Sequence, residues 1–204
     1  MERKVKKLNS KIEKLANFLF ETRILKHTPR ASLPYLKTPL KENVAEHSFY
    51  TTIIGWVLAK LESANENKII KMALIHDLAE ARGGERNLIN KFYSEPLNEP
   101  KIMEEIALTY GLKDFEIKEI FEEFFKGESK EAKIVKDADV LAGMLLEKEV
   151  FDSGNKKAKK WLDVSLSRLK TKSGKKLGKF ILQTDSDEWW LEVAKKYLPL
   201  TKFL

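Results

Sequence analysis

Met72-Ala73-Leu74-Ile75-His76-Asp77-Leu78-Ala79-Glu80 is an apolar, helix-forming run that ends in an imidazole and two carboxylates. Unpaired charge is costly to remove from water, so a buried helix with such an end needs a partner for it. A divalent metal is the common one. Neutral imidazole with carboxylate suits Mn, Fe, Co, Ni or Zn, while carboxylate and water suit Mg. Two further segments supply matching groups. His47 lies in Glu42-Asn43-Val44-Ala45-Glu46-His47-Ser48, on the first turn of a helix that Asn43 is placed to cap. Asp139 lies in Lys133-Ile134-Val135-Lys136-Asp137-Ala138-Asp139-Val140-Leu141, where a lone carboxylate among apolar neighbours calls for a cation or for donors. Three helices can thus bring His47, His76, Asp77 and Asp139 to one point, with coordination positions left over for water and substrate. A metal there would lower the pKa of its water and neutralise phosphate oxygens, as phosphoester hydrolysis requires.

The rest of the chain reads as helix from end to end, so the fold class expected is all-α. Val5, Leu8, Ile12, Leu15 and Leu19 form one apolar stripe of a helix reaching about Leu25. Pro29, Pro34 and Pro39 make His27–Lys41 an irregular loop. Helices are expected over about 44–61, from an Asn65 cap to about Ala79, and over 99–110, 114–125 and 129–151. Gly83-Gly84 opens a loop that runs through Pro96. Beyond Gly154, helices are expected over 155–169 and 174–182, with a break at Ser173-Gly174, and from a Ser186 cap to Tyr197. Trp189-Trp190 reads as an aromatic anchor for that last helix, and Trp161 and Phe180 fall at core-like spacings. Asp137, two residues before Asp139, points elsewhere on the helix and reads as a surface ion pair. His27 reads as an exposed loop residue, and Arg82 and Arg86 as surface residues near the site.

Composition narrows the class. The 204 residues hold 43% hydrophobic and 34% charged residues with few Gly and Pro, which fits one soluble globular domain. No cysteine occurs, which removes disulfides, zinc-thiolate sites and thiol nucleophiles and fits a reducing cytoplasm. No apolar run approaches the roughly 20 residues that span a bilayer, and the basic N-terminus lacks the apolar stretch of a secretory signal. The net charge is +7. Lys156, Lys157, Lys159, Lys160, Lys170, Lys172, Lys175, Lys176 and Lys179 crowd one stretch, which reads first as a solvated helix face and second as a polyanion-steering patch.

The ordered set His47, His76-Asp77 and Asp139 resembles the HD superfamily of metal-dependent phosphohydrolases. The phrases Glu42–Ser48 and His76–Glu80 with Gly84 are similar to its 5′-deoxynucleotidase branch, over roughly Leu15 to Val150. The resemblance implies a single HD-domain helical bundle, with a core of about 15–150 and a C-terminal helical extension of about 155–204. It implies His47, His76, Asp77 and Asp139 as ligands of one divalent metal (Mn, Co, Ni, Fe or Zn, with Mg also compatible). Asp77 and Glu80 become the catalytic carboxylates, with Glu80 handling the proton. Arg30 would bind substrate phosphate through its fork of donors. Glu85 stands where the family has a sugar-reading Asp, and Ala31-Ser32-Leu33 where it has a Trp. The implied substrate is a 5′-(deoxy)nucleoside monophosphate and the implied assembly a homodimer. Ala81 after Glu80 departs from the alarmone hydrolases, and no Gly-Tyr-Pro signature of signalling phosphodiesterases is present. The alternatives are an enzyme acting on dNTPs or phosphodiesters, and a nucleotide- or nucleic-acid-binding protein with a non-catalytic metal site. Nucleic acid is the less favoured partner.

Overall fold

The computed structural model describes residues 2–197, with side chains from Asn9 onward. Among these residues the chain is helical, and its one β-type pairing is an isolated antiparallel bridge between Pro29 and Asn43. In chain order the helices are α1 (Glu2–Thr22), α2 (Leu33–Leu36), α3 (Val44–Glu62), α4 (Glu66–Ile75), α5 (Glu80–Gly83), α6 (Leu88–Tyr93), α7 (Glu99–Tyr110), α8 (Ile117–Lys126), α9 (Lys130–Asp152), α10 (Ala158–Arg168), α11 (Lys172–Gln183) and α12 (Glu188–Tyr197). Short 3-10 turns at Arg23–His27 and Lys113–Phe115 complete the set.

The long helix α9 is the axis of the fold, packed by α3, α4, α8, α10 and α11. One core cluster joins Leu58 of α3, Ile69 and Met72 of α4, Ile134, Leu141 and Met144 of α9 and Leu162 of α10. A second joins Leu25, Val44, Leu78, Met103, Ile106 and Phe121. Ile75 and Phe124 pack against both, so the residue before His76 lies on the seam between them. Gly55 lets α3, α4 and α9 meet closely: a Cβ there would lie 3.2 Å from Ile69 Cγ2, 3.7 Å from Ala73 Cβ and 3.8 Å from Ala138 Cβ. His47 lies two turns before Gly55, His76 one turn after Ala73, and Asp139 directly after Ala138. The smallest residues at the helix crossing therefore draw the three candidate ligand segments together.

Helix starts follow the side chains able to satisfy their exposed N–H groups. Asn43 and Glu46 form a reciprocal capping box at α3, and Asn65 and Ser129 cap α4 and α9. Five expectations are corrected. The helix from Asn65 stops at Ile75 instead of Ala79: His76 Nδ1 donates to the Ala73 carbonyl, and the chain tightens into bonds from Leu78 N–H to Ile75 O and from Glu80 N–H to Asp77 O. There is no break at Ser173-Gly174, because Thr171 caps α11 by accepting from Gly174 N–H. Asp137 is 1% exposed and makes no surface ion pair; it accepts from Lys170 N–H (2.8 Å), Thr171 N–H (2.7 Å) and Thr171 Oγ1 (2.7 Å). Trp189 and Trp190 do not anchor α12, which buries no residue. Trp189 borders an open groove with Leu145 and Leu146 of α9, and Trp190 Nε1 bonds locally to Asp187. Phe180 is likewise exposed, since α11 turns Leu177 and Ile181 toward the core instead. His27 and the nine clustered lysines are all exposed. Arg82 pairs with Glu21 and Arg86 holds Ser94 and Glu95, both outside the metal cluster described below.

Glu147 on α9 is buried against α10, where Oε1 accepts from Ser165 and Oε2 has no partner. Burial pushes its carboxyl up to about 7. A folded-state pKa raised from the ordinary range near 4.5 contributes stability below pH 4.5 that is lost as pH rises through 7. Ionising this group in the fold costs about 3 kcal/mol. Glu147→Gln should therefore raise the melting temperature at pH 8 by about 6–12 °C and leave it nearly unchanged at pH 4.5. Equal shifts at both pH values in thermal unfolding would refute the assignment.

Candidate metal centre

His47, on the first turn of α3, is fully buried, and its Nε2 lies 2.9 Å from Asp139 Oδ1 and 3.9 Å from Asp77 Oδ2. His76 is 3% exposed, and its Nε2 is 3.1 Å from Asp77 Oδ2. That approach is too poorly aligned for a hydrogen bond, so His76 Nε2 is a buried nitrogen with no partner. Its other nitrogen is committed to the Ala73 carbonyl at 2.7 Å. This fixes the ring and leaves Nε2 as the group offered to the site, as in many metal-binding histidines. His47, His76 and Asp77 each place one ligand atom within 4.8 Å of the others. Asp139 is not in that tight trio and joins through His47, with its side chain 34% exposed.

The electrostatics fit a cation. Burial alone would lower His76, but Asp77 and Asp139 and the Ala73 carbonyl carry it up to about 9. Burial would raise Asp139, yet its hydrogen bond to His47 and the charges of His47, His76 and Arg30 hold it well below the usual carboxylate range. Asp77 is also held low: His76 outweighs burial. Two imidazoles and two carboxylates that polarise one another, with an orphaned ring nitrogen among them, form a donor set of the type that binds Mn, Fe, Co, Ni or Zn.

The surrounding residues come from turns. The Pro29–Asn43 bridge sets Arg30 N–H on the Glu42 carbonyl and Val44 N–H on the Thr28 carbonyl, which lays the Arg30 segment along the start of α3. Arg30 Nη1 is 2.9 Å from Glu85 Oε1 and 3.8 Å from Asp77 Oδ2. The second oxygen of Glu85 accepts from Ala31 N–H. Glu80 opens α5 one turn after Asp77. Burial, with Asp77 and Glu85 nearby, pushes its carboxyl up to about 9. The fold thus gathers every site residue expected from the sequence: Arg30, His47, His76, Asp77, Glu80, Glu85 and Asp139.

Glu42 is a residue the sequence reading did not single out for a role. Its side chain is 11% exposed and lies 3.7 Å from Arg30 Nε, and its Oε2 has no hydrogen-bond partner. Burial raises its pKa. A carboxylate just before a capping asparagine reads as a helix-start residue, so only the bridge reveals it as a neighbour of Arg30.

Residues 22–181 match the family described as HD domain. The chain belongs to the HD-domain family. The match includes α10 and α11 as well as the helices bearing the candidate metal ligands. This HD-domain chain is 32% identical over 148 residues to 5′-deoxynucleotidase HDDC2 of Bos taurus, covering 70% of each. It is 31% identical over 122 residues to 5′-deoxynucleotidase hdd1 of Schizosaccharomyces pombe; that is 56% of this chain and 61% of the length of that relative. A conserved hypothetical protein from Pyrococcus furiosus of solved structure matches with a TM-score of 0.65 at 28% identity, over 82% of this chain and 97% of that one. Among the described residues no helix is long and apolar enough to cross a membrane.

Proposed function

We propose that this HD-domain chain is a metal-dependent phosphohydrolase that cleaves 5′-(deoxy)ribonucleoside monophosphates to nucleoside and phosphate. The observation that carries this reading is the convergence of His47, His76 and Asp77 within 4.8 Å, with Arg30 beside Asp77. A divalent ion held by His47, His76, Asp77 and Asp139 would acidify a water and offset charge on the phosphoryl oxygens. Arg30 binds those oxygens through its guanidinium fork. Glu85 keeps Arg30 aimed at the site and borders the sugar. Glu80, whose carboxyl is pushed up by burial with Asp77 and Glu85 nearby, handles the proton that reaches the leaving 5′-oxygen as the phosphorus–oxygen bond breaks. Of the protons on the attacking water, one restores Glu80 and the other leaves on phosphate.

The same reading takes 1–204 as one domain, its helices beyond about 155 forming an extension on the HD core, and as a cytoplasmic homodimer. The relatives named 5′-deoxynucleotidase support the monophosphate over dNTPs or phosphodiesters. The test is phosphate release from ribo- and deoxyribonucleoside mono- and triphosphates, using chelator-stripped protein with single divalent metals restored. Release from monophosphates with added metal is expected. Release from triphosphates alone, or from nothing while metal is bound, would sink the proposal. Glu80→Gln should lower kcat about 10²–10⁴-fold while keeping bound metal; a variant as fast as the parent would remove Glu80 from the proton step.

A further inference from the structure

Gly143 stands in the middle of α9, four residues after Asp139. A glycine inside a helix weakens it relative to alanine, so its presence there asks for a reason. The fold supplies one for each of the other eight glycines. Four hold a positive φ, and at the other four a Cβ would come within 3.2 Å of a neighbouring residue. Neither reason holds for Gly143. It keeps helical backbone, and a Cβ built on it meets no atom within 4 Å other than the adjoining backbone of α9. Gly143 is nevertheless half-buried, so the clear space beside it is a recess and not open helix surface.

The recess adjoins the candidate metal centre. Residues four apart on a helix stand roughly 5–6 Å from one another at Cβ. Helical side chains lean toward the helix start, so one at position 143 would lie over Asp139 and Val140. Asp139 reaches His47 Nε2 at 2.9 Å, yet 34% of its side chain stays exposed. Glycine at 143 leaves it uncovered from that side. A bare backbone is also what lets a ligand approach a helix closely. We infer that Gly143 is the seat of the nucleoside half of the substrate: with its phosphate at the metal centre and Arg30, the sugar and base extend along α9 over Gly143. The inference rests on the phosphohydrolase reading for the identity of this ligand. One turn of helix is about 5.4 Å long, on the scale of the step from a phosphoryl group to the sugar it esterifies. Gly143 supplies clearance that any nucleoside needs, whatever its base, while choice among sugars stays with the turn that carries Glu85.

The test reads binding without turnover. It measures the rise in melting temperature that a nucleoside monophosphate or inorganic phosphate gives the metal-loaded Glu80→Gln protein, in which the ligand is consumed slowly. Adding Gly143→Leu should weaken a purine and a pyrimidine deoxynucleoside monophosphate alike, on the order of tenfold or more, and leave inorganic phosphate within about twofold. With no ligand present, Gly143→Ala should melt about 2–4 °C above the parent, because it gains helix propensity and meets no neighbour. An equal loss for inorganic phosphate would put the effect on the metal centre and overturn the inference. Nucleotide binding by Gly143→Leu within about twofold of Glu80→Gln alone would overturn it too, as would a Gly143→Ala protein that melts below the parent, or no nucleotide binding in Glu80→Gln itself. A parent that binds nucleotides and turns none over would sink the phosphohydrolase reading alone, and the Gly143→Leu comparison would still decide where the nucleoside lies.

Discussion

His76→Ala or Asp77→Ala should yield folded protein that holds no divalent metal and releases phosphate at least about 10³-fold more slowly than the parent. Each change removes one of three groups whose ligand atoms sit within 4.8 Å of one another. Neither side chain is a main support of the core: His76 is anchored by one bond to Ala73, and Asp77 faces the cluster and not an apolar cavity. The loss should therefore appear in metal content by elemental analysis before it appears in circular dichroism. Retained metal with retained turnover in either variant would move the site elsewhere.

The second large effect is expected two residues from a candidate ligand and has the opposite character. Asp137→Ala should lower stability by about 3 kcal/mol, because it removes a buried carboxylate and leaves the half-buried N–H groups of Lys170 and Thr171 and the Thr171 hydroxyl without their acceptor. The melting temperature should fall by about 6–12 °C, while metal stoichiometry at low temperature stays at the parent value. Gly174 sits so close that a Cβ there would lie 2.3 Å from Asp137 Oδ2, so Gly174→Ala should destabilise the same junction. Thermal unfolding that leaves Asp137→Ala within about 1 °C of the parent would show that the junction contributes nothing. The adjacent Asp139 should behave in the reverse way, affecting metal and turnover more than folding.

These two aspartates show what the sequence made legible. Asp139 could be placed because a carboxylate among apolar neighbours must meet a compensating group, and His47 and His76-Asp77 carried matching chemistry at helix positions already suited to burial. Asp137 could not be placed, because its partners are backbone N–H groups more than thirty residues away at the α10–α11 junction, and such groups carry no residue signature. Caps at Asn43 and Asn65 were readable because a cap is a local bond within four residues. The end of α4 was not, since His76 has to spend one nitrogen on the Ala73 carbonyl before the chain turns. Trp189 and Trp190 misled because aromatic character signals burial only where the helix that carries it packs onto a core face, and α12 buries no residue. Glu42 escaped notice because its relation to Arg30 depends on a single bridge across a proline-containing loop.

The crossing at Gly55, Ala73 and Ala138 separates the molecule into two kinds of hardware. The cation's cage is inherited from the tightest part of the interior and shares its stiffness, so its spacing cannot drift without disturbing α3, α4 and α9 together. Arg30, Glu80 and Glu85 ride on short turns outside that crossing. Their positions can be edited by changing a few loop residues. A protein engineer seeking a different leaving group would accordingly leave the three-helix crossing untouched and diversify only residues 28–42 and 80–99, treating the rest as a fixed chassis.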